Sequence, residues 1–342
     1  MEHLTVPEER VGLELDEFLC LAFPHVNKGF LRAQVRGGRV LIDGSPMLKP
    51  AHRLRWNEVV SIDIDDEELP VAPVAPPSPV PILHEDEHVL VVDKPAGLAV
   101  EPERWRRDAA CLSGALLQAA LERADATAAR GAELEFRPRL VHRIDKDTSG
   151  AVLVAKDLET ERRLRTAFEE GQVAKDYLAL VEGEHPLEDG EEEVIDATIG
   201  ADARRTGRML VGLPDGKPSR TRLRVEQRFE GYTLLRCSPL TGRTHQIRVH
   251  LSWAGFPLVI DPTYGRRDAL KLSEIKRGYK AKRGAEERPL MARLTLHASA
   301  IGWPPAGDGA TEPTRVEAPL PADFTRLLRQ LSKVRPHRRW RS

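Results

Sequence analysis

The sequence predicts an α+β protein: a large domain on a mixed central β-sheet, preceded by a small unit of two helices and short strands. Three observations carry this. Apolar, β-branched runs at 88–95 (HVLVVDKP) and 150–157 (GAVLVAKD) read as strands. Helical segments alternate with them irregularly, with no glycine-rich phosphate loop, which disfavours a doubly wound sheet. Residues 65–80 open with four acids and then carry five prolines, a composition that suits an extended linker. The expected domains are therefore 1–64 and 81–331, with a basic tail at 332–342.

The elements follow in order. Residues 15–23 place Leu15, Phe18, Leu19 and Ala22 at helical spacing. A second helix from Lys28 repeats this with Phe30, Leu31 and Val35, and Gly37-Gly38 ends it. Residues 39–44 form a short strand with Asp43-Gly44 as a hairpin turn. In the large domain, residues 157–171 form a helix: Asp157 can cap it, Leu164 and Phe168 share a face, and Gly171 stops it. A strand follows, with Val173, Lys175, Tyr177, Ala179 and Val181 on one face. Residues 244–255 suit a helix with Thr244 as N-cap and Gly255 as stop. A strand is the alternative, because Gln246, Arg248 and His250 alternate with Ile247, Val249 and Leu251. Either way Arg248 projects away from the side that Ile247 and Leu251 bury.

With 342 residues and ordinary hydrophobic content, the chain can hold one large and one small domain. A formal net charge of −1 neither indicates nor excludes nucleic acid, because local patches decide binding. Cys20, Cys111 and Cys237 are scattered and odd in number. They read as reduced thiols of a cytoplasmic protein, not as a disulfide frame or metal site. The polar, acidic start is unlike a signal peptide, and no apolar run approaches membrane-spanning length. A monomer is expected.

Two stretches carry chemistry. Residues 140–155 (LVHRIDKDTSGAVLVA) hold Asp145 in a polar turn near Arg143. Residues 241–251 (TGRTHQIRVHL) hold Arg243, His245, Gln246 and Arg248. A carboxylate in an arginine-lined cleft can do covalent or acid–base chemistry on a polar anion such as RNA. Each residue also has a plainer role. Asp145 suits a turn, Arg248 a structural ion pair, Tyr177 a strand core, and Arg143 a solvated surface. No His/Cys/Asp spacing suggests a metal.

Taken in order, these strings resemble the RluA-type pseudouridine synthases. That family shows HRLD-x-x-TSG, K-x-Y-x-A and TGR-x-HQIR-x-H, after an opening segment ending N-K-P-x-G. Here they read His142-Arg143-Ile144-Asp145 with Thr148-Ser149-Gly150; Lys175-Asp176-Tyr177-Leu178-Ala179; and Thr241 to His250. The opening segment is 82–100, with Asp93 in place of asparagine. Ile260 replaces the glycine before the Asp261…Tyr264-Gly265 string, and Glu101 stands where histidine is frequent. The resemblance spans about 81 to 331. Residues 1–64 are similar to the alpha-L RNA-binding domain of a small-subunit ribosomal protein, through Leu15-Asp16-Glu17-Phe18-Leu19, Asn27-Lys28 and 38–44. Glu14 stands where that domain usually has a base.

The resemblance implies a mixed sheet with a cleft across it, and conversion of uridine in RNA to pseudouridine without a cofactor. The target base must leave the stack to be reached. Asp145 is implied as nucleophile or base, with Arg248 as its charge partner. Tyr177 is implied to lie against the base, as stacking surface and hydrogen-bond partner or base. Arg143, Lys175 and Arg243 are expected on the RNA, Arg143 at a phosphate or in the space of the flipped nucleotide. His142 and His245 orient loops. In the first domain, Lys28, Arg32, Arg36 and Arg39 are the expected RNA contacts. The stretch 266–288 reads as an inserted loop with nine Lys/Arg against four Asp/Glu, and it and the basic tail could add backbone contacts. Ribosomal RNA of the large subunit is favoured over transfer RNA. One rival is a non-catalytic RNA-binding protein, which has no reason to hold Asp145, Tyr177 and Arg248 together. Another is a glycosidic hydrolase, which normally uses two carboxylates.

Overall fold

The computed structural model describes the chain except for residues 65–68, 71, 104–105, 107, 128–136, 281–285, 306–311 and 338–342. The last five residues of the basic tail, the acidic start of the linker and part of the 266–288 stretch thus lie outside the described residues. The chain packs as two compact units, 1–79 with 99–139, and 80–98 with 140–342. Packing groups 99–139 with the N-terminal segment, although the proline-rich boundary in the sequence puts them with the large domain.

In the first unit, β1 (Glu2–Thr5) precedes helices α1 (Leu15–Ala22) and α2 (Lys28–Arg36). Strands β2 (Val40–Ile42), β3 (Ser45–Pro46) and β4 (Val59–Ile62) complete a sheet ordered β1-β4-β2-β3. The hairpin turn is the expected one: Asp43 and Gly44 have φ of 48° and 78°, as a two-residue turn with both centres left-handed requires. Asn27 caps α2 by accepting from the Phe30 amide at 2.8 Å. Phe18, Leu19, Leu31, Val35, Val40 and Val60 fill the core between helices and sheet. A third helix, α3 (Leu112–Thr127), belongs here, with Leu117, Ala120 and Ala124 packed on Leu21.

The second unit is built on one mixed sheet. Its strands are β5 (Ile82–Glu85), β6 (Val89–Lys94), β8 (Ser149–Ala155), β9 (Ala174–Glu182), β10 (Glu192–Asp196), β13 (Arg220–Phe229), β14 (Tyr232–Pro239) and β15 (Leu296–Trp303). They run in the order β10-β13-β14-β9-β15-β8-β6-β5. Only the β15–β8 pairing on this path is parallel. The short β7 (Arg139–Leu140) leads into β8, β16 (Thr314–Glu317) pairs with β15, and β11 (Ile199–Ala201) and β12 (Met209–Val211) form a separate hairpin.

Three helices bury apolar faces on this sheet. In α4 (Leu158–Glu169), capped by Asp157 as expected, Leu164 and Ala167 meet Val91, Leu153 and Ile301. Ile247 and Leu251 of α5 (Gln246–Trp253) meet Ala179, Val181 and Leu235. Full burial of each such side chain contributes about 1.5–3 kcal/mol. Phe324, Leu327 and Leu331 of α7 (Ala322–Val334) meet Leu180 and Leu234, together with Leu270, Ile275 and Met291. The stretch read as an inserted loop therefore carries core residues and a short helix, α6 (Leu272–Ile275). No helix among the described residues is long and apolar enough to cross a membrane.

Candidate active site

The turn that holds Asp145 is fixed from several sides. Its Asp145 carbonyl accepts from the Thr148 amide at 3.1 Å, and β8 begins at Ser149. Lys94, at the end of β6, is fully buried beneath it. The ammonium donates to the carbonyls of Pro95, Leu98 and Lys146 at 2.9, 2.7 and 2.8 Å. Burial pushes its pKa down to about 7 against the pull of Asp147 and Asp145, while three converging carbonyls match the three donors of an ammonium. Gly150 lets the turn lie against β15: it has φ of 115°, and a Cβ there would sit 2.1 Å from the Ala298 carbonyl oxygen. Ser149 bonds His297 at 2.9 Å. His142 accepts the Leu153 amide at 2.8 Å and stacks on Phe168. Burial and nearby Lys175 push its pKa down to about 3, so it is a neutral acceptor.

The segment 241–250 is held in the same way. Buried Gln246 accepts from the Thr241 hydroxyl at 2.8 Å and the Arg243 amide at 3.0 Å, and donates to the Arg220 carbonyl at 2.9 Å. His250 bonds Thr221 at 2.9 Å. The helix expected here forms, but its N-cap is His245, in left-handed conformation with φ of 56°, not Thr244. Gln246 draws the preceding loop back on itself, and the chain enters the helix one residue later than the sequence suggests.

This places Arg248 among two carboxylates. It donates to Asp145 at 3.1 Å through Nη1 and to Asp261 at 2.8 and 2.9 Å through Nε and Nη2. Burial opposes its charge, but Asp261 and Asp145 outweigh that and hold the guanidinium protonated. Asp261 is fully buried, and it also accepts the amides of Thr263 and Tyr264 at 2.8 and 3.1 Å. That turn sets the Tyr264 ring 5.2 Å from the Arg248 guanidinium, with its hydroxyl 3.0 Å from His245 Nδ1. Asp145 stays a quarter exposed at the side chain, so a substrate can reach it. Tyr177 on β9 is half-buried, and burial together with the Asp145 charge pushes its hydroxyl pKa up. At neutral pH the phenol therefore keeps its proton.

The other expected contacts are dispersed. Arg143 is exposed beside the turn. Arg243 is half-buried, its Nε 3.3 Å from the Pro218 carbonyl. Lys175 lies 5.6 Å from the Phe168 ring centre, where burial lowers its pKa. In the first unit, Lys28 pairs with Glu17 and Asp16, and Arg32 with Asp16 at 2.6 Å. Both acids are buried in α1, so these two bases neutralise internal charge. Arg36 and Arg39 are exposed. In the 266–288 stretch, Arg267 and Arg277 pair with Glu182 and Glu230. Sequence reasoning missed Lys94, Asp261 and Tyr264 as positioning residues. All three lie in strings quoted for the resemblance, and that was their signal.

On the mixed sheet, an accessible aspartate held by a buried arginine is an arrangement that can do acid–base or covalent chemistry on a polar, anionic substrate. Residues 88–253 match the RNA pseudouridylate synthase family. The chain is 35% identical to ribosomal large subunit pseudouridine synthase C of Escherichia coli, over 97% of each protein. It is 36% identical to ribosomal large subunit pseudouridine synthase D of Xanthomonas campestris pv. campestris, over 97% of this chain and 92% of that one. Its fold is that of human RNA pseudouridylate synthase domain containing 4: TM-score 0.52, 24% identity, 73% of this chain and 92% of that chain covered. The chain belongs to the RluA-type RNA pseudouridine synthases, enzymes that isomerise uridine in RNA.

Proposed function

We propose that this enzyme makes pseudouridine in large-subunit ribosomal RNA, with Asp145 as the group that acts on the flipped uridine. The observation that carries the second part is the Arg248 bridge, which fixes an accessible carboxylate 3.1 Å from a buried guanidinium. The reaction breaks the nitrogen–carbon glycosidic bond, turns the uracil and bonds a ring carbon to the same sugar carbon. Atoms and electrons balance within the nucleotide, so no redox partner is required. Arg248 holds the carboxylate rotamer, and Tyr177 offers a flat ring to the uracil and a hydroxyl donor. Arg143, Lys175 and Arg243 hold neighbouring phosphates.

The names of the similar E. coli and Xanthomonas proteins support ribosomal RNA over transfer RNA. The arrangement of α1, α2 and the β2–β3 hairpin supports an alpha-L-type RNA-binding role for the first domain, with the exposed Arg36 and Arg39 on its RNA side. Three free, buried cysteines support a reducing, cytoplasmic setting. Mapping pseudouridines in total RNA from cells with and without the gene tests the substrate. Loss of one or a few sites confined to large-subunit ribosomal RNA is expected. Loss confined to transfer RNA would overturn the assignment.

A further inference from the structure

His245 opens α5 in an unusual way. Its backbone is left-handed, with φ of 56°, yet its side chain makes no capping bond to the helix. That conformation is uncommon outside glycine and recurs at functional sites. Here it brings the helix no cap, so the use of the ring lies elsewhere.

Hydrogen bonding fixes which ring nitrogen carries the proton. The Tyr264 hydroxyl accepts the Met209 amide at 2.8 Å and lies 3.0 Å from His245 Nδ1. An amide N–H can only donate, so the phenol's own hydrogen still needs an acceptor. Nδ1 is the acceptor that the described residues offer it. Tyr264 therefore donates to Nδ1, and the proton of the neutral imidazole sits on Nε2. Burial pushes the His245 pKa down against the pull of Asp145, so the ring is neutral at pH 7. The other charges that act on it are Arg248, Asp261 and Arg143, the surroundings of the catalytic carboxylate. Tyr264 also holds the ring edge-on, with planes at 82°, while its own ring lies 5.2 Å from the Arg248 guanidinium. Nε2 has no partner among the described residues, and it is not a buried atom. The result is a neutral donor, fixed in tautomer and open to solvent, one helical turn before Arg248.

We infer that His245 is a further catalytic residue, whose Nε2–H donates a hydrogen bond to a carbonyl oxygen of the flipped uracil. This rests on the reading that the cleft turns over a uridine in RNA. When the nitrogen–carbon bond breaks, its electron pair stays with the uracil and spreads onto the ring carbonyls. The ring carbon then bonds the same sugar carbon and gives up a proton, and the ring nitrogen gains one. A fixed donor at a carbonyl oxygen stabilises the charge while it is there, with no reorganisation to make. A neutral imidazole can polarise a carbonyl in this way, and it does so without drawing Asp145 into an ion pair. A phosphate oxygen is better served by a cation, and this ring carries no charge.

The test uses the full-length enzyme and a transcript of large-subunit ribosomal RNA. Single-turnover pseudouridine formation is measured at saturating RNA, per folded enzyme, together with RNA affinity over a range of salt. His245→Asn suits the left-handed backbone but removes the ring. His245→Phe keeps a ring but removes the donor. Both should slow turnover by about a hundredfold, with affinity and its salt dependence close to wild type. Tyr264→Phe releases the tautomer and should slow turnover less; added to His245→Phe it should cost nothing further. Nitrogen-15 spectra of the free enzyme should show His245 protonated at Nε2 and bare at Nδ1. Unchanged saturated turnover in both His245 variants would overturn the proposal, whatever their melting temperatures. So would a proton on Nδ1, or a normal saturated rate with weaker and less salt-dependent binding, which marks a phosphate contact. If the wild-type enzyme modifies transfer RNA and not this transcript, the reading of the substrate fails, and the same variants on transfer RNA still decide His245.

Discussion

At the scale of single residues, the site turns on Arg248. It bonds Asp261 through two nitrogens and Asp145 through one. Asp261 is thus the anchor, and Asp145 is the arm left free for substrate. Arg248→Met should slow single turnover by well over tenfold, more than about 1.4 kcal/mol in the barrier, with a much smaller loss of RNA affinity. Asp261→Asn should do nearly the same, because the amide turns a donor toward the guanidinium. The two act as a unit, so the double variant should be little worse than either single one. Additive losses, or a loss in affinity alone, would recast Arg248 as a phosphate contact. The sequence made Asp145 and Arg248 legible because each stands in a string of several unusual residues. Asp261 was not legible as a partner. An aspartate before Pro262-Thr263-Tyr264 looks like any turn former, and only the folded chain shows it returning to α5.

At the scale of elements, the turn into β8 shows how strands position chemistry. Gly150 is required by its φ and by the approach of β15. Gly150→Ala should destabilise the protein by at least about 2 kcal/mol and misplace Asp145, seen as lost turnover in whatever fraction remains folded. A variant with full stability and activity would contradict this account. His142 makes a second, pH-dependent claim. Its burial lowers the pKa from 6.5 to about 3. Above 6.5 both folded and unfolded chains hold it neutral, and between these values only the unfolded chain takes the proton. Its contribution is therefore full above pH 6.5 and is lost as pH falls toward 3. In urea unfolding from neutral pH to about pH 4, His142→Gln should lose stability less steeply than wild type. Parallel curves would show that the imidazole does not stay neutral in the fold. Helices α1, α2, α4 and α5 were legible from apolar spacing and caps. The entry to α5 was not, because a buried glutamine rather than the threonine sets it.

At the scale of the whole molecule, the proline-rich stretch suggests a clean cut near Pro79, but packing within the first unit argues otherwise. Leu21 covers Leu117, Ala120 and Ala124, and the Val74 carbonyl accepts the Cys111 amide at 2.9 Å. A fragment starting at Pro79 should therefore melt broadly and expose apolar surface to a hydrophobic dye, whereas the full chain melts sharply. A sharply melting fragment would show that 99–139 need no such cover. The mixed sheet was legible in the apolar strands, while the assignment of 99–139 was not, because long-range packing leaves no local mark in the sequence. The proposed mechanism rests on one carboxylate. The most direct measurement is pseudouridine formation by Asp145→Asn on large-subunit ribosomal RNA, with melting and RNA affinity followed in parallel. We predict no turnover, with stability and affinity close to wild type; substantial turnover by the purified variant would contradict the central role of Asp145.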